Sequence, residues 1–469
     1  MTRARTLIVI ILLLAARPTG AQPAPAPATS IDTAALERAL LEEMRATHTP
    51  GAAIAVVSGE RVLYAKGFGV ASIETGEPVT AATLFRIGST TKMFTGLTAA
   101  LLAREGKLSL DAPVGRWARG LRPPLARLTL DQLLSHRAGL VNEAAGAGPH
   151  DDAALGARVR GWGAAKLFTA AGDVYSYSGP GYWLAGYAIE QAAGVPFADA
   201  VEQRVLRPLG MTRSTFRPLA AMTYPMAQDH RLGADGRAQV IRPFTDDVTT
   251  WASGSLFSSA EELARYAIAL MNGGRVAGAQ LFPAEAVSAM RAAHAPLPGA
   301  EGCWYSYGLS SCPHRGVRTL GHFGFRSGSG SVVTMVPEQR VAVIILANRG
   351  GGIFARTAER ALELLLPGLA PDSSSDPPLR APTAAERARV AGTYVNGPDT
   401  LRLDAPAGDS TLTYRYGGER YPARVRGDLE VVVVSEAGEP VQLFALVTGA
   451  SGRVTYLHDG LSAFRKVGK

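Results

Sequence analysis

The chain comprises 469 residues, more than one hydrophobic core usually supports, so we expect two domains, or one large domain with an appendage. Hydrophobic residues make up 47% of the chain and charged residues 19%, a globular composition that excludes disorder as its main character. The formal net charge is +8, but the basic residues are interspersed with acids, so no basic stripe indicates nucleic-acid binding.

The first residues have the pattern of an export signal. Arg3 and Arg5 give a positive start, residues 7–16 are apolar, and the small residues 19–21 offer a cleavage site. The apolar run is too short to span a bilayer as a helix, although an uncleaved membrane anchor is the alternative. We therefore expect a signal peptide over 1–21 and a periplasmic or secreted mature protein without a stable membrane span.

The segments after the signal alternate between helical and strand patterns. In chain order they predict a helix over 32–47, a hairpin over 53–57 and 61–70, a helix over 89–105, mostly helical structure over 110–270, strands over 319–323, 331–336 and 341–348, and a helix over 354–366. Within the central region, Ser259 and Glu262 predict a capping box at the start of a helix over 261–271.

The composition changes after residue 366. Residues 367–383 are rich in Pro, Ser and Asp, which predicts an exposed linker. Beyond the linker, a small β-barrel or sandwich is predicted over 384–469, with strands at 401–403, 411–416, 429–434, 441–447 and 454–457. This region contains no clustered acid, base and nucleophile, so we expect the chemistry to lie in residues 22–366.

Ser89 and Lys92 are candidates for nucleophilic catalysis. They stand three residues apart at a predicted helix start, so their side chains share one face of the helix. A serine hydroxyl needs a base to take its proton, and a desolvated lysine with a lowered pKa can be that base. The pattern alone also fits a serine N-cap followed by a surface lysine, so the assignment depends on context.

Three stretches in a fixed order resemble the serine β-lactamase and penicillin-binding-protein superfamily, in particular its class C-like branch of esterases and peptidases. Residues 85–96 (FRIGSTTKMFTG) resemble the active-site helix, 175–182 (YSYSGPGY) the F-S-Y-S-N-x-G-Y element, and 321–324 (GHFG) the element written K-T-G or H-x-G. The resemblance covers about residues 35–366. It implies an α/β (α+β) fold in which an antiparallel sheet flanked by helices lies beside a helical subdomain. The C-terminal all-β domain resembles the lipocalin-like appendage of some members.

The resemblance also implies a role for each catalytic group. Ser89 would be the nucleophile, and Tyr177 would share the acid and base work with Lys92. A tyrosine between cationic groups can be held near its phenolate form and take the serine proton. The backbone N–H groups of Ser89 and Phe325 would form the oxyanion hole.

The substrate side of the site is predicted on the strand that carries the third element. His322, Gly324 and Arg326 alternate and so share a face of that strand. Gly324 would leave room for a substrate to lie along the strand.

Two departures from the family pattern bear on the substrate. Gly179 stands where Y-x-N members have an asparagine that contacts the acyl-amide of β-lactams. His322 stands where others have lysine, and a histidine that is mostly neutral at pH 7 does not supply the fixed cation for a substrate carboxylate. Arg326 would partly replace that cation.

We therefore expect a serine hydrolase that acts through an acyl-enzyme on an ester, an amide or a D-amino-acid peptide, with weak or no β-lactamase activity. One alternative is a D,D-carboxypeptidase or D-aminopeptidase acting on cell-wall peptides. Another is a penicillin-binding recognition protein that does not hydrolyse. The partner is expected to be the small-molecule substrate, and the oligomeric state stays open.

The sequence lacks the motifs of several other enzyme classes. No G-x-S-x-G, H-E-x-x-H or P-loop motif occurs, and no G-x-G-x-x-G follows a strand, so neither a metal nor a cofactor is predicted.

Cys303 and Cys312 are the two cysteines. An oxidising compartment favours a disulfide between them over two unpaired thiols.

Overall fold

A computed structural model of the chain describes residues 26–350, 354–371, 377–406, 408 and 410–468. The predicted signal peptide lies outside the described residues. Within those ranges, no helix is long and apolar enough to cross a membrane.

The helices of the described chain are mostly short and are concentrated between residues 91 and 291. They are α1 Thr33–Ala46, α2 Thr91–Arg104, α3 Leu130–Leu134, α4 Ala154–Arg160, α5 Gly179–Ala193, α6 Phe197–Val201, α7 Pro218–Ala221, α8 Trp251–Gly254, α9 Ala260–Met271, α10 Ala284–Arg291, α11 Ala355–Leu365 and α12 Ala384–Val390. The buried helix α5 packs against α2, α3, α4, α6 and α8 and so organises the helical part of the molecule.

Between residues 26 and 350, the strands form one large antiparallel sheet and three short two-stranded pairs. They are β1 Gly51–Ser58, β2 Arg61–Gly69, β3 Phe85–Arg86, β4 His230–Leu232, β5 Ala238–Val240, β6 Phe257–Ser258, β7 Arg275–Val276, β8 Ala279–Gln280, β9 Ala295–Pro296, β10 Trp304–Tyr305, β11 Ser310–His314, β12 Val317–Arg326, β13 Ser329–Val336 and β14 Val341–Ala347. The large sheet has the order β2-β1-β14-β13-β12-β11-β10-β9.

Helices cover both faces of this sheet because its central strands are apolar on both sides. In β1, Ala53 and Val57 pack into the core that contains α2 and α9. The alternate residues Ile54 and Val56 pack into a second core with α1 and α11. The predicted antiparallel sheet flanked by helices is therefore confirmed.

The strands after the linker close into a barrel. They are β15 Gly392–Asn396, β16 Asp399–Asp404, β17 Thr413–Tyr416, β18 Glu419–Arg426, β19 Glu430–Val434, β20 Pro440–Thr448, β21 Val454–His458 and β22 Ala463–Val467. The barrel has its own core, in which Tyr394, Val433 and Phe444 are buried. The predicted all-β C-terminal region is confirmed, although the sequence patterns missed β15, β18 and β22.

One predicted local motif is only half present. Ser259 does cap α9, because its side chain accepts the N–H of Glu262. The Glu262 carboxylate does not return to Ser259; it accepts the backbone N–H groups of Arg213 and Ser214 at 3.0 and 2.8 Å. The capping-box prediction was therefore wrong in its second half, since the glutamate fixes a distant loop instead.

Candidate active site

A tight turn presents Ser89 at the start of α2. Residues Gly88–Thr90 form a 3₁₀ turn that leads directly into the helix. Gly88 has φ +51°, and a Cβ built on it would lie 2.5 Å from the backbone nitrogen of Phe325. Glycine at this position therefore lets the turn approach β12 closely, which places the backbone of Phe325 beside the turn that carries Ser89.

Lys92 is buried against Ser89. Its Nζ lies 3.2 Å from the Ser89 Oγ and donates to the backbone carbonyl of Ser253 at 2.7 Å. Burial and the nearby charge of Arg326 hold the pKa of Lys92 well below its usual range. The Ser89–Lys92 pair predicted from spacing is brought together. The Ser253 carbonyl, 161 residues further along the chain, was missed because no local pattern marks it.

Tyr177 completes this group of side chains. The Lys92 Nζ lies 4.8 Å from the centre of the Tyr177 ring. Burial raises the pKa of Tyr177, and a hydrogen bond with Ser89 offsets this only in part. The expected phenolate is therefore disfavoured, because the ring is desolvated and the neighbouring lysine is itself disposed to be neutral. These surroundings favour the protonated phenol of Tyr177, in contrast to the phenolate that the resemblance implied.

A neutral histidine packs against Tyr177. The rings of His136 and Tyr177 are 4.3 Å apart, and the His136 Nδ1 accepts the backbone N–H of Ser178 at 3.0 Å. Burial, followed by the charges of Lys92 and His322, holds the pKa of His136 well below its usual value. His136 therefore supports the segment that carries Tyr177 without adding a charge to the site.

His322 lies on β12, and both of its ring nitrogens have protein partners. Nδ1 donates to the backbone carbonyl of Phe323, and Nε2 accepts from the Tyr305 hydroxyl at 2.9 Å. These partners assign the tautomer, since a carbonyl can only accept. Burial, then the charge of Lys92, lowers the pKa of His322 to about 3. His322 thus offers the substrate neither a charge nor an unoccupied nitrogen.

The alternation predicted along β12 is present, but its inner face is more buried than expected. His322 and Arg326 are 6% exposed, whereas Phe323 and Phe325 are 46% and 58% exposed. A Cβ on Gly324 would lie 2.0 Å from the backbone oxygen of Ile87. Gly324 is therefore needed for the contact with the nucleophile turn, and the room that it would leave for a substrate stays a prediction.

Arg326 is not the exposed cation that the sequence suggested. Its guanidinium donates to the Thr250 hydroxyl at 3.1 Å inside the protein. Burial and the neighbouring charge of Arg86 lower the pKa of Arg326 to about 10. The positive charge of Arg326 affects the site by lowering the pKa of Lys92. Because Arg326 is buried, direct binding of a substrate carboxylate is disfavoured.

Gly179 begins α5 at the position where the family pattern has an asparagine. The side-chain amide of Asn142 lies beside it. The Asn142 Oδ1 accepts the Gly179 N–H at 2.9 Å. Asn142 was missed because it belongs to a separate loop, 37 residues earlier in the chain. Away from these residues, Cys303 and Cys312 are joined by a disulfide.

Comparison with known proteins gives a consistent picture. The beta-lactamase family model matches residues 36–367. The chain is 29% identical to Penicillin-binding protein 4 of Amycolatopsis lactamdurans, over 74% of this chain and 93% of that protein. It is 35% identical to Esterase EstB of Burkholderia gladioli, over 39% of this chain and 52% of that protein. The octameric penicillin-binding protein homologue from Pyrococcus abyssi superposes with a TM-score of 0.65 at 25% identity, over 93% of this chain and 100% of that one.

Proposed function

The chain belongs to the beta-lactamase family of serine hydrolases, and from that premise we propose that it cleaves carboxylic esters through an acyl-enzyme on Ser89, with weak or no activity on β-lactams. The observation that carries the chemistry is the 3.2 Å approach of the Ser89 Oγ to a buried Lys92 whose pKa is lowered. A neutral amine at hydrogen-bond distance is the base that a serine nucleophile requires.

The protonation states support a division of labour between Lys92 and Tyr177. During acylation the Ser89 proton passes to the Lys92 amine as Oγ attacks the ester carbonyl, and the N–H groups of Ser89 and Phe325 bind the oxyanion. As the intermediate collapses, the Tyr177 phenol protonates the leaving alkoxide, and the Lys92 ammonium returns a proton to the phenolate.

Deacylation follows the same route with water as the nucleophile. The water gives a proton to Lys92 and attacks the acyl carbonyl. The intermediate then collapses, the Ser89 Oγ leaves and takes this proton back from the Lys92 ammonium, and the resting enzyme is restored. No metal or cofactor is used in either half-reaction.

The preference for esters rests on the electrostatics of β12. β-Lactams carry a carboxylate that a fixed cation would attract. His322 is neutral with both nitrogens engaged, and Arg326 is buried against Thr250. A simple ester has no such carboxylate, so the absence of a fixed cation on this surface does not weaken its binding. The likeness to an esterase over 39% of the chain supports the same preference.

The test compares a short-chain aryl ester and a chromogenic cephalosporin with one preparation of the mature protein. We expect kcat/KM for the ester to exceed that for the cephalosporin, and Ser89→Ala to lose at least about a thousandfold in ester hydrolysis. Ser451→Ala, in an exposed turn of the barrel, is the matched control. Full ester hydrolysis by Ser89→Ala, or faster turnover of the cephalosporin by orders of magnitude, contradicts the proposal.

A further inference from the structure

The C-terminal barrel is bonded directly to the segment that carries Tyr177. The backbone N–H of Tyr177 donates to the carbonyl of Leu461 at 2.7 Å. The hydroxyl of Ser176 accepts the N–H of Ala463 at 3.2 Å. Next to these, the Tyr175 carbonyl accepts a hydrogen bond from His458 at 3.1 Å. Three consecutive residues of the catalytic segment are thus each held by the barrel.

These barrel residues surround one turn, residues 459–462, which joins β21 to β22. His458 is fully buried before the turn, and burial lowers the pKa of His458 to about 4, so it is a neutral donor near pH 7. Its Nδ1 accepts the Gly460 N–H at 3.1 Å, which leaves Nε2 as the donor to Tyr175. The contact with the catalytic segment therefore does not depend on a histidine charge.

Asp459 gives the turn its shape. Its Oδ1 accepts the backbone N–H groups of Leu461 and Ser462 at 2.9 and 2.6 Å. An aspartate that bonds the backbone two and three residues on fixes the turn. The fixed turn then aims the Leu461 carbonyl at the backbone N–H of Tyr177.

Resting on the proposed function of Ser89, we propose that the barrel turn 459–462 is a working part of the active site. It positions Tyr177 relative to Ser89, with Asp459 as a positioning residue. The barrel thereby contributes to the rate of the reaction.

The positioning step is tested with Asp459→Ala and its conservative partner Asp459→Asn. The alanine variant loses the acceptor that shapes the turn, so kcat for an aryl acetate should fall at least about tenfold with KM changed less than about threefold. The asparagine variant keeps an acceptor oxygen and should retain kcat within about threefold of the wild type. Asp235→Ala is the matched control, since Asp235 shapes an exposed hairpin turn by accepting the Arg237 N–H at 3.0 Å.

Two results would overturn the positioning role. In one, Asp459→Ala keeps the wild-type kcat. In the other, Asp459→Asn falls as far as the alanine variant, which would make the charge important rather than the turn. Labelling of Ser89 by a fluorophosphonate, followed by intact mass, gives the same comparison without an ester substrate. If the protein does not hydrolyse esters, the proposed function fails, while labelling of Ser89 still tests the positioning role. If esters are hydrolysed but the Asp459 variants behave as just described, only the positioning role fails.

Discussion

The side-chain oxygen of Asn142 accepts a hydrogen bond from the backbone N–H of Gly179 at 2.9 Å. A Cβ built on Gly179 would meet its nearest neighbours at 3.6 Å, an ordinary contact. We predict that Gly179→Asn folds and raises the rate of Ser89 acylation by a cephalosporin about fivefold, because one hydrogen bond to the acyl-amide is worth about 1 kcal/mol. Intact-mass analysis of adduct formation over time measures this rate.

Gly179→Ala is the control for that prediction. It adds a Cβ at the same place but no amide, so the acylation rate should stay at the wild-type level. An equal gain in the alanine variant would attribute the effect to the helix start and not to recognition of the acyl-amide.

The local parts of the candidate site could be predicted from the sequence, and the distant parts could not. Ser89 and Lys92 meet because residues three apart at a helix start share a face. The carbonyl that contacts Lys92 belongs to Ser253, which lies 161 positions later in the chain. The carbonyl that contacts Tyr177 belongs to Leu461, which lies 284 positions later. Backbone carbonyls are present at every position, so nothing in the residue pattern identifies these two.

The strand β12 shows a second limit of sequence patterns. Alternation correctly put His322, Gly324 and Arg326 on one face. It could not show that Gly324 faces the backbone of Ile87, or that Arg326 reaches Thr250. Which groups cover a face depends on tertiary packing, and that packing decides whether a side chain meets the substrate or the core.

The protonated state of Tyr177 gives a prediction that depends on the leaving group. If its phenol protonates the departing alkoxide, Tyr177→Phe should lower kcat/KM for an alkyl ester at least about a hundredfold, but much less for a p-nitrophenyl ester. The nitrophenolate leaves without a proton, which accounts for the difference. Steady-state kinetics on both esters provide the measurement.

Tyr175→Phe is the matched control, because Tyr175 is a neighbouring buried tyrosine of the same segment. It should affect the two esters equally. If Tyr177→Phe also slowed both esters by the same factor, the phenol would not be the acid for the leaving group.

Glu43 provides a prediction about stability. It is buried in α1, and its Oε2 accepts the backbone N–H of Thr357 at 2.8 Å and the Thr357 hydroxyl at 2.6 Å. The carboxylate thereby satisfies donors in the first turn of α11. We expect Glu43→Ala to lower the free energy of unfolding by about 2 kcal/mol, since those donors lose a charged acceptor. Glu42→Ala, on the exposed side of α1, should change the free energy of unfolding by less than about 0.5 kcal/mol in the same denaturant titration.

Substitution of Arg326 should change the pH dependence of kcat/KM. Lys92 acts as a neutral amine, so kcat/KM should rise with pH as Lys92 loses its proton and then reach a plateau. Removing the nearby positive charge makes protonation of Lys92 easier and raises the pKa of Lys92. Arg326→Met should therefore move the acidic limb of the profile to higher pH, while Arg326→Lys, which keeps a charge, should move it less.

The Arg326 variants test whether the acidic limb belongs to Lys92, which lies among other titratable groups. The pKa of His322 is lowered to about 3, burial holds the pKa of His136 well below its usual value, and burial raises the pKa of Tyr177. A limb that stays in place in Arg326→Met would mean that burial alone sets the pKa of Lys92. In that case Lys92 would stay neutral through its enclosure, and the buried Arg326 would serve only the packing around Thr250.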